Sequence, residues 1–392
     1  MNCNQFVSTT LGNIAQITMG QSPKGSSLNK IGEGVPFIQG NRTFGFLYPT
    51  IDTYTSSPVK NANRGDILFS VRAPVGDINI AQEDLCIGRG ICAIKSKTDE
   101  NGFLFYLLKN NVKRLISQAN GTVFTSVNRN DLESLEVVIP SSLDYRMRIS
   151  NILSTIDRKI ELNKQLNDYL AELGDILFLQ ALKKNRKEIK YRKIDSFCQV
   201  RGGKRLPKNS QLTSKPNAHP YIRVRDLNDA TVLILTPEML YVDNDIQMSI
   251  SRYIVNTGDL IISVVGTIGL TSYIGKTLDG ANLTENCNKL TSFEGDIASW
   301  VYFYFLSSLG LEAIRLETVG AVQIKLPLKN LKSIEVPFIP TYEMKKIVPV
   351  LNKIIKVIQE NLIESLALTK LRDALLPKIM SGDIDIQNIN IT

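Results

Sequence analysis

The sequence predicts an α+β protein in which two mixed, mainly β globular domains are separated by two long helices. Three observations support this fold class. Phrases of the first half recur in order in the second half, each half contains short apolar runs between Gly and Pro residues, and each half ends in a heptad pattern. The predicted segments are residues 1–143, the first globular domain, and 144–187, the central spacer helix. Residues 188–341 form the second globular domain, and residues 342–392 form a C-terminal spacer helix and its tail.

The repeat is visible in matched phrases. LESLEVVIP (Leu132–Pro140) recurs as LKSIEVPFIP (Leu331–Pro340), and GDILFSVRAPVG (65–76) recurs as GDLIISVVGTIG (258–269). Matched phrases lie about 195 residues apart, far more than the repeat length of a solenoid. The chain is therefore interpreted as a tandem duplication of one large unit.

Within each unit, the globular part comes first. Short apolar runs such as DILFSV and LIISVV lie between turn-forming residues, and they predict buried strands. The pattern then changes to a helical seam with steps of four, three and four. The seam residues are Ile149, Leu153, Ile156, Ile160, Ile347, Leu351, Ile354 and Ile358.

The next seam position is Asn163 in the first helix and Asn361 in the second. A polar residue on an apolar seam can fix the register of a helix pair at some cost in stability. Helices of about 35–38 residues, roughly 50–57 Å long, are expected to pair as an antiparallel coiled coil. That pairing would relate the two globular domains by a pseudo-twofold axis and place them at opposite ends. The alternative is that each helix packs on its own globular domain.

The composition bounds the function. Hydrophobic residues make up 43% of the chain and charged residues 21%, while the formal net charge is +8 with a pI of about 9.1. This basic balance favours a polyanionic partner. The five scattered cysteines lack CxxC spacing and are expected to be reduced thiols of a cytoplasmic protein. No apolar run reaches the length of a membrane helix, and the N-terminus lacks a secretory pattern.

The familiar catalytic patterns fail on inspection. The only histidine is His219, which disfavours a His-based zinc site or a Ser–His–Asp triad. GQSPKGSS has Ser26 where a P-loop needs lysine, and GLTSYIGKT has Leu270 in place of the first glycine. Asp66 and Asp259 occur in matching phrases, which predicts roles in turns. We therefore expect a protein that binds and does not catalyse, with no metal site.

The chain resembles the specificity subunits of type I restriction–modification enzymes. The C-terminal LALTKLRDALLPKIMSGDIDI (366–386) is similar to the end of that family's second spacer helix, and ILSTIDRKIELNKQLNDYL (152–170) to its central helix. GNIAQITMGQSPKG resembles the start of a target-recognition domain. The entry of the second domain, VRGGKRLP, is less typical. The resemblance covers residues 11–386.

The resemblance implies two target-recognition domains, each reading half of a bipartite sequence in double-stranded DNA, with a helical spacer that sets the gap. It implies two modification subunits as partners, which carry S-adenosylmethionine and methylate adenine. Restriction subunits that use ATP and Mg would be further partners. It implies no cofactor in this chain, and no membrane.

Candidate DNA-contacting residues come from their chemistry, because recognition domains vary within the family. Arg can bind guanine through two hydrogen bonds, and Asn or Gln can bind adenine in the same way. Polar and basic residues in loop-like, Gly-punctuated contexts are therefore predicted to contact DNA. They are Gln21, Ser22, Lys24, Asn41, Arg42, Arg72 and Arg89 in the first domain, and Arg201, Lys204, Arg205, Arg223, Arg225, Asn286 and Lys289 in the second.

Two other interpretations remain open at this point. The chain could be a two-domain scaffold that docks proteins through its helices, with an incidental basic charge. It could also be a self-contained nuclease or methyltransferase, which the missing motifs disfavour. The salt dependence of DNA binding separates the first from a DNA reader, because a reader that neutralises phosphates weakens steeply with salt.

Overall fold

The computed structural model describes residues 6–119, 126–227, 230–320 and 324–386. The chain divides into two compact units. Unit 1 comprises Met1–Glu161 and Ala367–Thr392, and unit 2 comprises Leu162–Leu366. This division runs through both long helices, so the four segment boundaries drawn from the sequence stay predictions.

The first half of the chain supplies most of unit 1. Its strands are β1 (Phe6–Thr10), β2 (Ala15–Met19), β3 (Leu28–Asn29), β4 (Val35–Ile38), β5 (Tyr54–Thr55), β6 (Asn61–Ala62), β7 (Ile67–Ser70), β8 (Ile78–Ile80), β9 (Leu85–Ile87), β10 (Ile91–Ser96) and β11 (Glu136–Pro140). Its helices are α1 (Leu11–Ile14), α2 (Asn101–Ala119), α3 (Arg129–Glu133) and α4 (Leu143–Lys184), the last of which continues into unit 2.

The second half supplies the rest. Its strands are β12 (Lys190–Lys193), β13 (Gln199–Gly202), β14 (Pro220–Ile222), β15 (Val232–Leu233), β16 (Leu240–Tyr241), β17 (Leu260–Ser263), β18 (Thr271–Ile274), β19 (Asn282–Leu283), β20 (Cys287–Thr291) and β21 (Glu335–Phe338). Its helices are α5 (Val224–Leu227), α6 (Asn244–Ile250), α7 (Ala298–Leu306), α8 (Ser308–Glu317), α9 (Leu328–Ser333) and α10 (Thr341–Ser381).

The sheets repeat between the two units. In unit 1, one sheet has the order β2-β10-β7-β8 and pairs antiparallel, and in unit 2 its counterpart begins β13-β20-β17-β18. A parallel pair also recurs, as β4 with β9 and as β14 with β19. The outer pair β1-β11 corresponds to β12-β21. The predicted tandem repeat of mixed, mainly β domains is confirmed.

The central strands are buried on both faces. Every residue of β7 and of β17 is buried, as expected for the continuous apolar runs that the sequence shows there. In unit 1, the core of this sheet continues into α2 and the start of α4. In unit 2, it continues into α10 and into α7, and the buried Trp300 of α7 packs on Phe178 of α4 with ring centroids 4.6 Å apart.

The long helices have 42 residues in α4 and 41 in α10, longer than the 35–38 expected. The hydroxyl of Ser142 accepts a hydrogen bond from the amide of Tyr145 and so caps α4 at its start. Pro349 lies inside α10, although proline usually ends a helix. The neighbouring Val348 and Leu351 are both buried, and their packing keeps this turn helical.

Within each unit, the segments of α4 and α10 lie side by side and antiparallel. In unit 1, Arg372 Nη1 lies 2.7 Å from Asp157 Oδ1. In unit 2, Lys184 Nζ lies 3.2 Å from Glu343 Oε1, so the end of α4 meets the start of α10. This is the pairing expected of an antiparallel coiled coil.

The role of the seam residues in pairing the helices stays a prediction, but their burial is consistent with an apolar stripe. All of them are buried or half-buried in their own unit. The amide of Asn163 donates to Glu364 Oε2 at 2.7 Å and to Ser365 Oγ at 3.2 Å, while Asn361 Nδ2 donates to Asn167 Oδ1 at 2.8 Å. Both asparagines therefore hydrogen-bond to polar groups of the facing helix.

Within the described ranges, no helix combines the length and hydropathy that a membrane span requires. The cysteines described there are free and buried: Cys86, Cys92, Cys198 and Cys287. Burial raises the pKa of Cys198 and of Cys287 to about 12, which keeps these thiols protonated and unreactive at neutral pH.

Candidate nucleic-acid interface

In unit 1, the turn between β9 and β10 (residues 88–90) is the point where several loops meet. The amide of Gly88 donates to the carbonyl of Ile38 at the end of β4, at 2.8 Å. The amide of Gly90 donates to the carbonyl of Gln39, the first residue after β4, at 3.1 Å. The loop that leaves β4 is therefore tied to this turn by main-chain hydrogen bonds.

The loops that leave β2 and β7 are tied to the same turn. The amide of Gln21 donates to the carbonyl of Ile87, the residue of β9 that precedes the turn, at 2.9 Å, and the amide of Val71 donates to the carbonyl of Gly90 at 2.9 Å. Three loops and the turn thus form one frame of backbone hydrogen bonds, which we call the loop frame of unit 1. Side chains on the frame can vary without breaking it.

Two glycines allow the loops of this frame to come so close. A Cβ on Gly20 would lie 2.2 Å from the carbonyl oxygen of Gly88, and a Cβ on Gly90 would lie 2.7 Å from that of Gln39. Both distances are far below a van der Waals contact. The MGQ and GRG phrases of the sequence are therefore needed for close backbone approach.

The loop frame of unit 1 brings together most of the residues predicted for the first domain. The amide of Arg89 donates to Ser22 Oγ at 3.3 Å, and Ser22 Oγ donates to Gln39 Oε1 at 2.9 Å. Gln21, Lys24, Arg72 and Arg89 are exposed, and Ser22 and Asn41 are half-exposed. Four polar or basic side chains, those of Gln21, Lys24, Arg72 and Arg89, are thus exposed on one set of adjoining loops.

Two of the predicted residues of unit 1 are partly engaged inside the protein. Asn41 Nδ2 donates to Asp77 Oδ2 at 2.5 Å and to the carbonyl of Pro74 at 3.2 Å. Arg42 forms an ion pair with Asp52 at 2.5 Å, and that guanidinium lowers the pKa of the carboxyl group. For Lys24, Arg72 and Arg89, the described ranges contain no ion-pair partner.

The same frame recurs in unit 2, between the loops that leave β13, β14 and β17 and the turn between β19 and β20. The hydrogen-bonded pairs, amide donor first, are Lys204 with Leu283 (2.8 Å), Thr284 with Ile222 (3.1 Å) and Val264 with Asn286 (2.8 Å). Gly203 replaces Gly20, and its Cβ would lie 1.9 Å from the carbonyl oxygen of Thr284. The repeat therefore preserves the backbone of the frame and not only its sheets.

The side chains on the frame of unit 2 are different. Lys204, Arg205 and Arg225 are exposed, and Asn286 is half-buried. Lys204 Nζ lies 5.4 Å from the ring centroid of Tyr253. Arg223 is half-buried and binds Asp226 through two side-chain hydrogen bonds of 2.9 and 2.6 Å, so its guanidinium serves an internal ion pair.

The predicted loop position is wrong for Arg201, Arg225 and Lys289. Arg225 lies in the short helix α5. Arg201 lies in β13, where its Nη2 donates to Gln199 Oε1 at 2.8 Å, and Lys289 faces it from β20. Lys289 is buried, and its ammonium group donates to the carbonyl of Ile254 at 2.6 Å. It also lies 3.4 Å from Asp259 Oδ2, so this lysine neutralises a buried carboxylate.

The paired aspartates hold turns, as their duplicated context predicts. The carboxylate of Asp66 accepts from the amide of Asn63 at 2.8 Å, and that of Asp259 accepts from the amide of Asn256 at 2.9 Å. Burial raises the pKa of Asp66, partly opposed by the Asn63 hydrogen bond. Both carboxylates close the turn ahead of a central strand.

Two residues of the frames were missed by sequence reasoning. Gln39 is exposed in unit 1 and bonded to Ser22, and Glu285 in unit 2 accepts from Arg205 Nε at 2.8 Å. Burial alone would raise the pKa of Glu285, but hydrogen bonds from Arg205, its own amide and Thr284 lower it overall. Aligning IGRGIC (87–92) with LTENCN (283–288) would have placed Glu285 opposite Arg89.

Comparison with known proteins agrees with this architecture. The model of the Type I restriction modification DNA specificity domain matches residues 4–172 and again residues 186–368. A Methanocaldococcus jannaschii protein named as the type I restriction enzyme MjaX specificity subunit is 45% identical over 159 residues, 40% of this chain and 37% of that relative. The MjaIX specificity subunit of the same organism is 26% identical over 177 residues, 42% of this chain and 41% of that relative.

The matched segments thus span well under half of the length of these two relatives. The crystal structure of a type I restriction–modification S subunit from M. genitalium superposes with a TM-score of 0.63 at 17% identity, covering 97% of both chains. That likeness establishes a shared fold over nearly the whole chain. Since the family model matches both halves, this chain belongs to the family of the Type I restriction modification DNA specificity domain.

Proposed function

We propose that this chain is the DNA sequence-recognition subunit of a type I restriction–modification complex. Each loop frame contacts one half of a bipartite target in double-stranded DNA. The chain itself catalyses no reaction and directs adenine methylation, or cleavage, by partner subunits. This assignment follows the family to which the chain belongs and the geometry of the two frames.

The observation that carries the proposal is that one backbone frame occurs twice with different side chains. Main-chain hydrogen bonds hold the loops in the same way in both units, while Ser22 and Arg89 in unit 1 are replaced by Arg205 and Glu285 in unit 2. A duplicated frame with divergent polar side chains is the arrangement expected of a protein that reads two different half-sites.

The charge of the frames supports nucleic acid as the ligand. Arg72 and Arg89 in unit 1 and Lys204 in unit 2 are exposed cations on adjoining loops, and Arg225 is an exposed cation on the short helix α5. Exposed cations of this kind neutralise phosphates, and Arg, Asn and Gln can also reach base edges. The frames therefore offer groups both for affinity and for sequence choice.

The partner subunits are proposed to pack on the helices. In the part of α4 that belongs to unit 2, apolar side chains with heptad spacing are 42–68% exposed. They are Leu162, Leu166, Tyr169, Leu173 and Ile176. A second apolar seam of this kind is the surface that a helical partner covers. We infer that modification subunits carrying S-adenosylmethionine are this partner, with ATP- and Mg-dependent restriction subunits joining the same complex.

The helices are further proposed to set the gap between the two half-sites. Inserting one heptad into each helix is expected to lengthen the preferred gap and to leave both half-sites unchanged, because the loop frames are untouched. Methylation of DNA substrates with graded gaps measures this. A gap preference that stays the same after the insertion would refute the spacer role.

The central test is methylation by the full complex on DNA in which each half-site is varied in turn. We expect activity to depend on sequence in both halves, and indifference in both would refute the proposal. R89A should weaken the complex on DNA. R114A provides the matched control, because Arg114 is also exposed but lies on α2. Removal of one phosphate-binding side chain should reduce the salt slope of binding by about 0.9.

The exposed seam on α4 also favours a second candidate, a scaffold that binds proteins and not DNA. A scaffold would form the same complex with modification subunits. Its binding of DNA would be weak and independent of sequence, which the half-site experiment would reveal.

A further inference from the structure

Arg205 and Glu285 form an ion pair across two loops of the frame of unit 2. Arg205 lies on the loop that leaves β13, and Glu285 lies in the turn between β19 and β20. Arg205 Nε is 2.8 Å from Glu285 Oε1. The side chain of Arg205 is 80% exposed, whereas that of Glu285 is 31% exposed. The carboxylate is thus the more buried partner of the pair, and the guanidinium is the one exposed to solvent.

Glu285 is held in place by its surroundings. Thr284 Oγ1 donates to its second carboxylate oxygen at 3.0 Å, so both oxygens accept hydrogen bonds. The loop that carries Arg205 is also fixed, because the hydroxyl of Tyr221 donates to the carbonyl of Lys204 at 3.0 Å. The carboxylate of Glu285 and the loop that carries Arg205 are therefore both held by hydrogen bonds.

The bond to Glu285 uses only the Nε group of Arg205. Within the described part of the chain, neither Nη group has a hydrogen-bond partner. Two parallel N–H donors of a guanidinium match O6 and N7 of guanine in the major groove. A carboxylate that holds Nε limits the rotation of the side chain and so reduces the entropy lost when the guanidinium binds.

Unit 1 has no such pair at the corresponding positions. There the loop residue is Ser22 and the turn residue is Arg89, joined by the hydrogen bond from the amide of Arg89 to Ser22 Oγ. At these two corresponding positions the frames carry a guanidinium on different loops, and that of Arg205 is held by a carboxylate, whereas that of Arg89 has no ion-pair partner among the described residues. The ion pair between Arg205 and Glu285 is therefore specific to the frame of unit 2.

We propose that Arg205, oriented by Glu285, reads a guanine in the half-site contacted by unit 2. Arg205 is the specificity-determining residue, and Glu285 and Thr284 are positioning residues that act through it. This inference rests on the proposed function and assigns one base of the target to one side chain.

A solvated surface ion pair on the same unit provides the comparison. Arg315 and Glu312 lie one turn apart on α8, with side chains 69% and 52% exposed. Arg315 Nε and Nη2 both bind the carboxylate of Glu312, at 2.7 and 2.6 Å. This pair joins residues of one helix and occupies part of the guanidinium face. R315A is therefore a matched control for R205A.

The test uses the full chain in complex with its modification subunits and DNA in which each base pair of the half-sites is replaced in turn. For R205A, we expect discrimination at one G·C pair of a single half-site to fall by about tenfold to a hundredfold. R205K should retain affinity for DNA without that discrimination, because an ammonium group cannot form the two parallel bonds. R315A should leave every preference unchanged.

The positioning role of Glu285 is tested by E285Q. Glutamine keeps an oxygen near Arg205 Nε but loses the charge, so discrimination should fall at the same G·C pair and nowhere else. A variant that only loosened the fold would instead reduce activity on all sequences alike. Equal melting temperatures for the variants and the unsubstituted chain provide the check on folding.

The outcomes separate this inference from the proposed function. If the unsubstituted complex shows no sequence preference in either half, the proposed function fails. If it is sequence-specific and R205A keeps all its preferences, or loses affinity uniformly across sequences, then Arg205 contacts no base and the inference alone is overturned.

Discussion

A buried ionic cluster in unit 1 predicts a large and local loss of stability. The side chain of Asp157 on α4 is fully buried, and that of Arg372 on α10 is 6% exposed. Their atoms Oδ1 and Nη1 lie 2.7 Å apart. The hydroxyl of Tyr106 donates to Asp157 Oδ2 at 2.9 Å, and Lys109 Nζ lies 3.9 Å from the same oxygen. The substitution R372M would remove the arginine from this cluster.

Methionine fills much of the space of the arginine stem but leaves the carboxylate of Asp157 without its main counter-charge. Removing one partner of a buried ion pair costs about 3–5 kcal/mol. Because Lys109 and Tyr106 remain, we expect the lower end of this range, about 3 kcal/mol. That loss corresponds to a roughly 100-fold increase in the population of the opened state.

Hydrogen exchange read by mass spectrometry measures this in the full chain. Amides of α2 in unit 1 should exchange roughly 100-fold faster in R372M, and amides of α7 in unit 2 serve as a reference within the same sample. Replacing both charges, as D157I with R372M, should restore much of the protection, since the fully buried carboxylate is then removed together with its main counter-charge. Less than a tenfold change in R372M, or additive effects in the double variant, would refute the reasoning.

Three further predictions follow from the frames and the seam. G203A should abolish sequence preference in the half-site of unit 2, because the added Cβ would lie 1.9 Å from the carbonyl oxygen of Thr284. Methylation assays on half-site variants test this. G25A is the control, because a Cβ on Gly25 would meet no atom within 4 Å. N163L should raise the melting temperature but allow more than one helix register, which cysteine cross-linking between the helices would detect; a single register would contradict it. The pKa of Glu285 lies below its usual 4.5, so its carboxylate stays charged and bonded to Arg205 at neutral pH, and the bond is lost only as the pH falls through the lowered pKa. Guanine preference should therefore stay constant from about pH 8 to pH 6. A decline within that range would contradict the assignment.

The sequence was most informative where a period repeats. Steps of four and three residues located both long helices, and alternation between apolar runs and turns located strands such as β7 and β17. These patterns are local, and burial of one face enforces them. The length of α10 was harder to predict because Pro349 argues against a helix that its buried neighbours nevertheless maintain.

Pairs distant in sequence could not be predicted in the same way. Asp157 and Arg372 are 215 residues apart, and their contact depends on the register in which two helices face each other. The residues of the loop frames show a second obstacle. Ser22 and Arg89 are 67 residues apart, while Arg205 and Glu285 are 80 apart. Insertions between the matched loops therefore hide their correspondence.

Lys289 shows why charge alone is a weak guide to a binding surface. Its sequence context resembles that of the exposed candidates, yet its side chain points into the core of unit 2 and neutralises Asp259. Successive side chains of a strand point to opposite faces of the sheet, so a lysine in a strand is buried if its face is covered by the core. The residues that neighbour Lys289 in the sequence do not show which face it lies on.

The main-chain hydrogen bonds of the loop frames have a consequence for how such a protein changes over generations. Because amides and carbonyls hold the loops, exposed side chains can be exchanged one at a time with little effect on folding. The glycines at the crossing points are constrained, so, under the proposed function, a lineage can drift toward a new target sequence while the scaffold beneath it stays intact. The two halves of this chain are one outcome of that freedom, since they share the scaffold and differ in what they present.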